Sequence, residues 1–441
     1  MDNRLICENL SVSESGRLSF AGQDAAKLAA QYGTPLYLMD KDRIRERCRT
    51  YISAAKKYFG ENARVMYASK AASFKDIYRV MNEENMFIDV VSVGEIATAK
   101  AAGFPHSKAY YHSAAKTDAD IAYAVENGVG CIVADSIDEL IAIDEYVKAN
   151  GNSAGAKSQA VLLRITPGID PHTFSEVATG KIDSKFGFGI ATGLAEEALN
   201  TALALPCISL QGFHCHVGSQ VFDSEVYIKS AGLMLEFVKH AKDVYGFHCD
   251  QLELGGGYGV RYLPEHPHID IEQNIKELGA FIDAKCMELG IDKPIIGLEP
   301  GRSIVADAGM TLYTVSAVKK IPDYINYVTV DGGMTDNVRY AMYKAPYTVV
   351  APEMMNDEDL MKCTLAGRCC ESGDIIQPDV QLPENIERGD LVAVLTTGAY
   401  NYSMASNYNR IPRPALVMLD GGSSYVAVRR ESADDIIRLD E

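Results

Sequence analysis

The chain has 441 residues, 47% of them hydrophobic and 23% charged, and a formal net charge of −18. That is the make-up of a globular protein able to bury a large core, with length for two domains or for a barrel and a smaller companion. The acidic surplus repels nucleic acid and anionic membrane surfaces, and no apolar run approaches the ~20 residues of a membrane span.

Ten cysteines are present, none as C-x-x-C, and no apolar leader opens the chain. Reduced thiols in a cytoplasmic protein are the expectation. The first stretch predicts a short strand around Leu5-Ile6-Cys7 and then a helix over 24–32, with Asp24 as N-cap and Gly33 stopping it before Pro35. Residues 35–39 read as a strand and about 40–58 as a charged helix.

From Ala63 onward the pattern is regular. Apolar strand-like runs occur at 64–68, 86–91, 109–111, 130–134, 160–165, 208–213, 251–254 and 295–298. Amphipathic helical stretches separate most of them, at 94–102, 118–127, 136–149, 225–245 and 271–289. Eight such units predict a (β/α)₈ barrel, with a doubly wound open sheet as the rival. After Arg302 the grammar changes to strand candidates at 311–319, 326–330, 346–350, 391–396 and 414–428 joined by turn residues, which predicts an all-β barrel or sandwich. The expected layout is a segment at 1–40 associating with the β domain, a barrel at 41–302, and a C-terminal β domain at 303–441.

Chemistry in a barrel gathers at the C-terminal strand ends. Those ends carry Lys70, Asp89, Tyr111-His112, Asp135, Arg164, His214-x-His216, Gly255-Gly256-Gly257 and Glu299-Pro300-Gly301-Arg302. A desolvated lysine can form a Schiff base with an aldehyde. The glycine run permits close backbone approach and can cradle a phosphate, although it fails the G-x-G-x-x-G spacing. His214 and His216 alternate, as on one face of a strand; with no H-E-x-x-H and no clear third ligand, no metal is expected. Ser219 adds a hydroxyl suited to a phosphate. Glu299 could bind a protonated ring nitrogen while Arg302 binds an anion, or the two could form a structural salt bridge. An amine, a flat ring, a backbone nest and a carboxylate together fit pyridoxal 5′-phosphate. In the β region, Gly367-Arg-Cys-Cys-Glu-Ser-Gly-Asp374 sets a thiol beside a carboxylate, and segments 339–343 and 398–403 add guanidinium and phenol groups.

The motifs Tyr67-Ala-Ser-Lys70-Ala, His214-Cys-His-Val-Gly-Ser219-Gln, Leu254-Gly-Gly-Gly-Tyr-Gly259, Glu299-Pro-Gly-Arg302, Cys370-Glu-Ser-Gly-Asp374 and Gly398-Ala-Tyr400 run in one order across nearly the whole chain. Together they resemble the fold-type III pyridoxal-phosphate-dependent decarboxylases, in the branch that acts on diaminopimelate. The resemblance implies Lys70 as the Schiff-base lysine, His216 stacked on the cofactor, and Ser219, Gly257, Gly301, Arg302 and Tyr400 as phosphate and cofactor contacts. It implies Glu299 at the pyridine nitrogen, Arg302, Arg339, Tyr343, Glu371 and Tyr400 as substrate contacts, and Cys370 as proton donor from the second subunit of a homodimer with shared sites. The implied reaction converts meso-2,6-diaminopimelate to L-lysine and carbon dioxide. A relative acting on ornithine, arginine or carboxynorspermidine, or a non-catalytic cofactor-binding protein, is the alternative. Three positions depart from the family pattern: Val93 stands for a glycine, and Tyr340 and Arg368 stand for prolines.

Overall fold

A computed structural model describes residues 4–153, 155–169 and 184–441. The chain divides into two compact units. One comprises residues 47–259 and 269–301; the other comprises 1–46, 260–268 and 302–441.

The first unit is a closed parallel barrel. Its strands are Arg64–Ala68, Phe87–Val90, Ala109–Tyr111, Cys131–Ala134, Gln159–Thr166, Ile208–His214, Gln251–Glu253 and Ile295–Leu298. Each pairs in parallel with the next, and the last closes on the first through Gly297 opposite Arg64 and Leu298 opposite Val65. Strands in such a barrel are covered on both faces and therefore read as continuous apolar runs, which is why these eight are visible in the sequence. Met66, Tyr110, Cys131, Val133 and Leu162 form one buried cluster of its interior. Helices start on side-chain caps: Ser92 accepts from Glu95 N, Ser136 from Glu139 N, and Asp270 from Gln273 N. The effect for function is that eight strand ends converge on one rim.

The second unit is β-rich. Strand Gly309–Lys319 is its spine, hydrogen-bonded to Asn326–Val330, to Leu391–Leu395 and to Leu36–Asp40. Leu36–Asp40 also pairs in parallel with Ala415–Asp420. Leu36, Leu38, Met310, Leu312, Ala393, Leu395, Val417 and Leu419 share one buried core with Leu18 and Phe20.

Several expectations need correction here. Leu5-Ile6-Cys7 is not a strand; Ile6 and Cys7 are buried, but the first strand is Leu10–Val12, paired with Leu18–Phe20 across a turn. The run 414–428 is a hairpin, broken after Asp420 by Gly421 and Gly422 at φ +55° and +83°, a conformation that favours glycine. The strand expected at 346–350 is only Val349–Val350. Leu360–Ala366 and Ile375–Pro383 are strands that the sequence pattern did not show.

Candidate active site

At the barrel rim, the first strand closes at Ala68 and Lys70 sits in the 3₁₀ turn Ser69–Ala71 that follows it, rather than on the strand itself. Its ammonium lies 3.6 Å from Asp89 Oδ2, and its side chain keeps 42% exposure while Asp89 is buried. Desolvation works against the Asp89 charge, but His112 and Lys70 outweigh it and hold the carboxyl below its ordinary range. Lys70 is thus a reachable amine tethered to a buried anion.

Glu299 follows the eighth strand and is boxed by two imidazoles. His214 Nε2 lies 3.0 Å from Glu299 Oε2, and His112 Nε2 lies 3.4 Å from Oε1. The two imidazole rings stand edge to face, 4.8 Å apart. Burial pushes both histidines down, His112 to about 4, so both are neutral near pH 7. Burial pushes Glu299 the other way, toward its neutral acid. Both Asp89 oxygens, Glu299 Oε1, His112 Nε2 and His214 Nδ1 are buried without a hydrogen-bond partner among the described residues. Such groups are costly unless something satisfies them.

His214 is the last residue of its strand and His216 lies beyond it, so strand alternation does not extend to the second imidazole. Pairing ends at His214, and the departing chain lets His216 Nδ1 accept from Gly256 N at 3.3 Å. Burial, reinforced by Lys70 and Arg164, keeps His216 neutral. The glycine run packs against backbone: a Cβ on Gly256 would fall 2.1 Å from Glu299 O, and one on Gly257, at φ +106°, would fall 2.0 Å from Gly218 O. Gly301 is similarly tight, its absent Cβ facing Ala68 Cβ at 2.9 Å beside the Lys70 turn. Arg164 sits over the Phe186 ring and 3.7 Å from Asp135.

In the β-rich unit, Arg302 opens a four-residue helix, donates to Tyr262 Oη at 2.8 Å, and lies 4.6 Å from the Tyr400 ring centre. Arg339 begins the helix Arg339–Tyr343 and stacks on Tyr400 at 5.4 Å and Tyr343 at 5.6 Å. Two buried guanidiniums sharing one ring repel each other, and an anion between them would relieve that repulsion. Cys370 and Glu371 lie exposed in the turn between two strands. Cys369 is partly buried, and burial, with Asp374 beside it, pushes its thiol up to about 11.

Sequence reasoning named the strand ends but not the partnership of Asp89, His112 and His214 with Lys70 and Glu299. Position alone marked them, since each stands on or just beyond a strand end. Tyr262 had no signal at all. His112, His214 and Glu299 place ligand atoms within 4.8 Å of one another, so a third ligand beside His214 does exist. The Lys70 amine points instead to an aldehyde-bearing organic ring. The residues fit such a group: Glu299 Oε1 has no hydrogen-bond partner among the described residues, and the neutral His216 imidazole lies beside the glycine run.

Residues 41–306 match the pyridoxal-binding domain of the pyridoxal-dependent decarboxylases. The chain is 42% identical to the diaminopimelate decarboxylase of Bacillus subtilis over 97% of its own length and 96% of the relative's. It is 40% identical to that of Staphylococcus aureus, covering 96% and 98%. A crystal structure of diaminopimelate decarboxylase from M. jannaschii in complex with L-lysine superposes with a TM-score of 0.89 at 32% identity, over 98% of each chain. A lysine/ornithine decarboxylase from Vibrio vulnificus shares the fold at a TM-score of 0.74 and 24% identity. By a motif order that spans the chain and a likeness that covers nearly all of it, this protein belongs to the pyridoxal-dependent decarboxylase family, in its diaminopimelate decarboxylase branch.

Proposed function

We propose that the protein removes the D-centre carboxylate of meso-2,6-diaminopimelate as carbon dioxide and yields L-lysine. The observation that carries this is the buried Glu299 carboxylate, with Oε1 open and two neutral histidines beside it, at the same rim as the Lys70 amine. Pyridoxal 5′-phosphate, when bound, supplies an aldehyde for an amine and a ring that withdraws electrons from the reacting carbon.

The chain's own residues do the rest. Lys70 would hold the cofactor through its ε-amine until substrate binds. Glu299 would accept a hydrogen bond from the protonated ring nitrogen and keep its proton in place, with His112 and His214 fixing the carboxylate and His216 covering a ring face. Ser219, Gly257 and Gly301 suit the phosphate, together with Arg302 and Tyr400. Cys370 delivers a proton to the carbon that loses its carboxylate. Its neighbour Cys369 is the poorer donor, since its thiol is half-buried and held against Asp374. At the distal end of the substrate, Glu371 binds the ammonium, and Arg302, Arg339, Tyr343 and Tyr400 hold the carboxylate. An ornithine-type substrate has no distal carboxylate and would leave Arg339 facing nothing. A non-catalytic relative would have no use for Lys70 and Cys370, and both are present.

The test is a substrate panel. Purified protein with added cofactor should release carbon dioxide from meso-diaminopimelate and from none of ornithine, arginine, lysine or carboxynorspermidine. A preference for any of these four sinks the reading. Arg339→Ala should weaken use of diaminopimelate by about 2–5 kcal/mol in kcat/KM, the usual cost of truncating one partner of a desolvated charge pair. Parental kcat/KM would remove Arg339 from the site.

The working unit is a cytoplasmic two-fold homodimer in which Cys370 of one chain serves Lys70 of the other. Lys70→Ala and Cys370→Ala homodimers should each be nearly inactive. After subunit exchange at equal amounts, half the dimers are mixed and half their sites intact, so roughly a quarter of parental activity should return. If mass measurement confirms exchange and no activity returns, the shared site is wrong.

A further inference from the structure

Asp374 closes the turn that carries Cys370 and Glu371, and it is only 3% exposed. Its two carboxylate oxygens bind two different loops. Oδ2 accepts from Cys369 N at 2.6 Å, and Oδ1 accepts from Met334 N at 2.6 Å. Bonds from an amide to an ionised carboxylate are shorter and stronger than neutral ones. Backbone pairs complete the join: Gly367 N donates to Asp374 O and Arg368 N to Gly332 O, each at 2.9 Å.

Two glycines make room for this carboxylate. A Cβ on Gly333 would lie 2.7 Å from both Asp374 oxygens, and one on Gly367 would lie 2.3 Å from Oδ2. Gly333 also starts the next turn, because its carbonyl accepts from Asp336 N at 3.0 Å and Asn337 N at 2.8 Å. Asp336 Oδ1 in turn accepts from Gly333 N at 2.9 Å. The helix Arg339–Tyr343 begins immediately afterwards. One buried side chain therefore stands between the strand connection bearing the thiol and the loop leading to the guanidinium.

We propose that Asp374 is a positioning residue that registers the Cys370–Glu371 turn, lent to the partner's site, against the loop leading into Arg339, kept at its own, so that one chain's contributions to the two sites move as one. This rests on the roles given above to Cys370 and Arg339. A residue that merely stabilised the fold would lower the melting temperature without moving kcat and KM together.

The test uses full-length holoenzyme and two variants. Asp374→Asn keeps the shape but turns an NH₂ toward one of the two N–H donors. Gly333→Ala displaces the carboxylate without altering any group placed in the chemistry. Two quantities are measured: kcat and KM for meso-diaminopimelate, and the iodoacetamide alkylation rate of Cys370 by peptide mass spectrometry, with buried Cys363 as reference. Both variants should lower kcat, raise KM, and cut kcat/KM by about 10²-fold, the scale of a misplacement of roughly 1 Å. Alkylation of Cys370 should speed up several-fold while Cys363 stays protected. If Asp374→Asn does not fold, Gly333→Ala decides alone. Parental kinetics in a folded variant overturn the proposal, even with faster alkylation, since Asp374 would then be a structural clasp only. Should the parental protein be inert toward diaminopimelate, the functional reading falls by itself and the alkylation rates decide whether the clamp exists.

Discussion

Lys70→Ala protein is expected to lose turnover by on the order of 10⁴–10⁶-fold, the scale on which enzymes lose rate when a covalent group is deleted. It should also lose the visible absorbance of the lysine-bound cofactor. The expectation follows from geometry. Lys70 sits just past the first barrel strand, half-exposed, with the ionised Asp89 carboxylate 3.6 Å from its ammonium. Asp89 lies on the buried side, so the amine is held in place yet accessible. Removing the ammonium leaves the buried Asp89 carboxyl without that partner, so the variant should also lose some stability, and its folding is measured beside its turnover. A folded Lys70→Ala variant that keeps both signals would remove the lysine from the centre of the account.

Glu299→Gln is expected to keep the fold and bind cofactor but lose about 10²–10³-fold in kcat, as when one preorganised group is deleted from a buried site. With its amide oxygen on His214, the NH₂ would face the ring nitrogen, presenting a donor where an acceptor is needed. The pH profile provides a second readout. Burial raises the Glu299 pKa, and a ring N–H cation beside Oε1 would lower it again, because an opposite charge favours the ionised form. The sign follows: activity falls as pH drops through the Glu299 pKa, when the carboxylate becomes a neutral acid and no longer offers an anion to hold the ring N–H. The histidines do not produce this limb, since His112 lies near 4 and His214 lower than usual, both neutral throughout. In Glu299→Gln that acid limb should disappear. A variant with parental rate and an unchanged acid limb would assign the electron-sink role elsewhere.

The barrel was legible because its strands are buried on both faces and separated by capped helices, which gives runs that neither turns nor surface strands imitate. The β-rich unit was harder to read. Ile375–Pro383 holds Pro378, Gln377 and Asp379, and among the described residues pairs only with Leu360–Ala366. It stands at the sheet edge, where proline is tolerated and the apolar pattern fades. Leu5-Ile6-Cys7 failed for the opposite reason: its apolar residues reach a core, but no neighbouring strand pairs with them.

The site divides in the same way. Lys70, the glycines and Glu299 carry motifs that a reader of sequence can recognise. The neutrality of His112 and His214 does not, because it comes from burial and from side chains brought together only by barrel closure. His214-x-His216 shows the limit of periodicity: the strand ends at His214, two residues short of His216, so alternation no longer fixes the side of the second ring. Asp374 is the last residue of a recognisable motif, yet its two backbone partners come from loops that sequence proximity does not connect.

The most direct measurement uses meso-diaminopimelate carrying ¹³C only in the D-centre carboxylate, incubated with the purified holoenzyme. All the label should leave as ¹³CO₂, with one equivalent of unlabelled L-lysine formed beside it. Label retained in lysine, or carbon dioxide released without lysine, would contradict the proposed reaction.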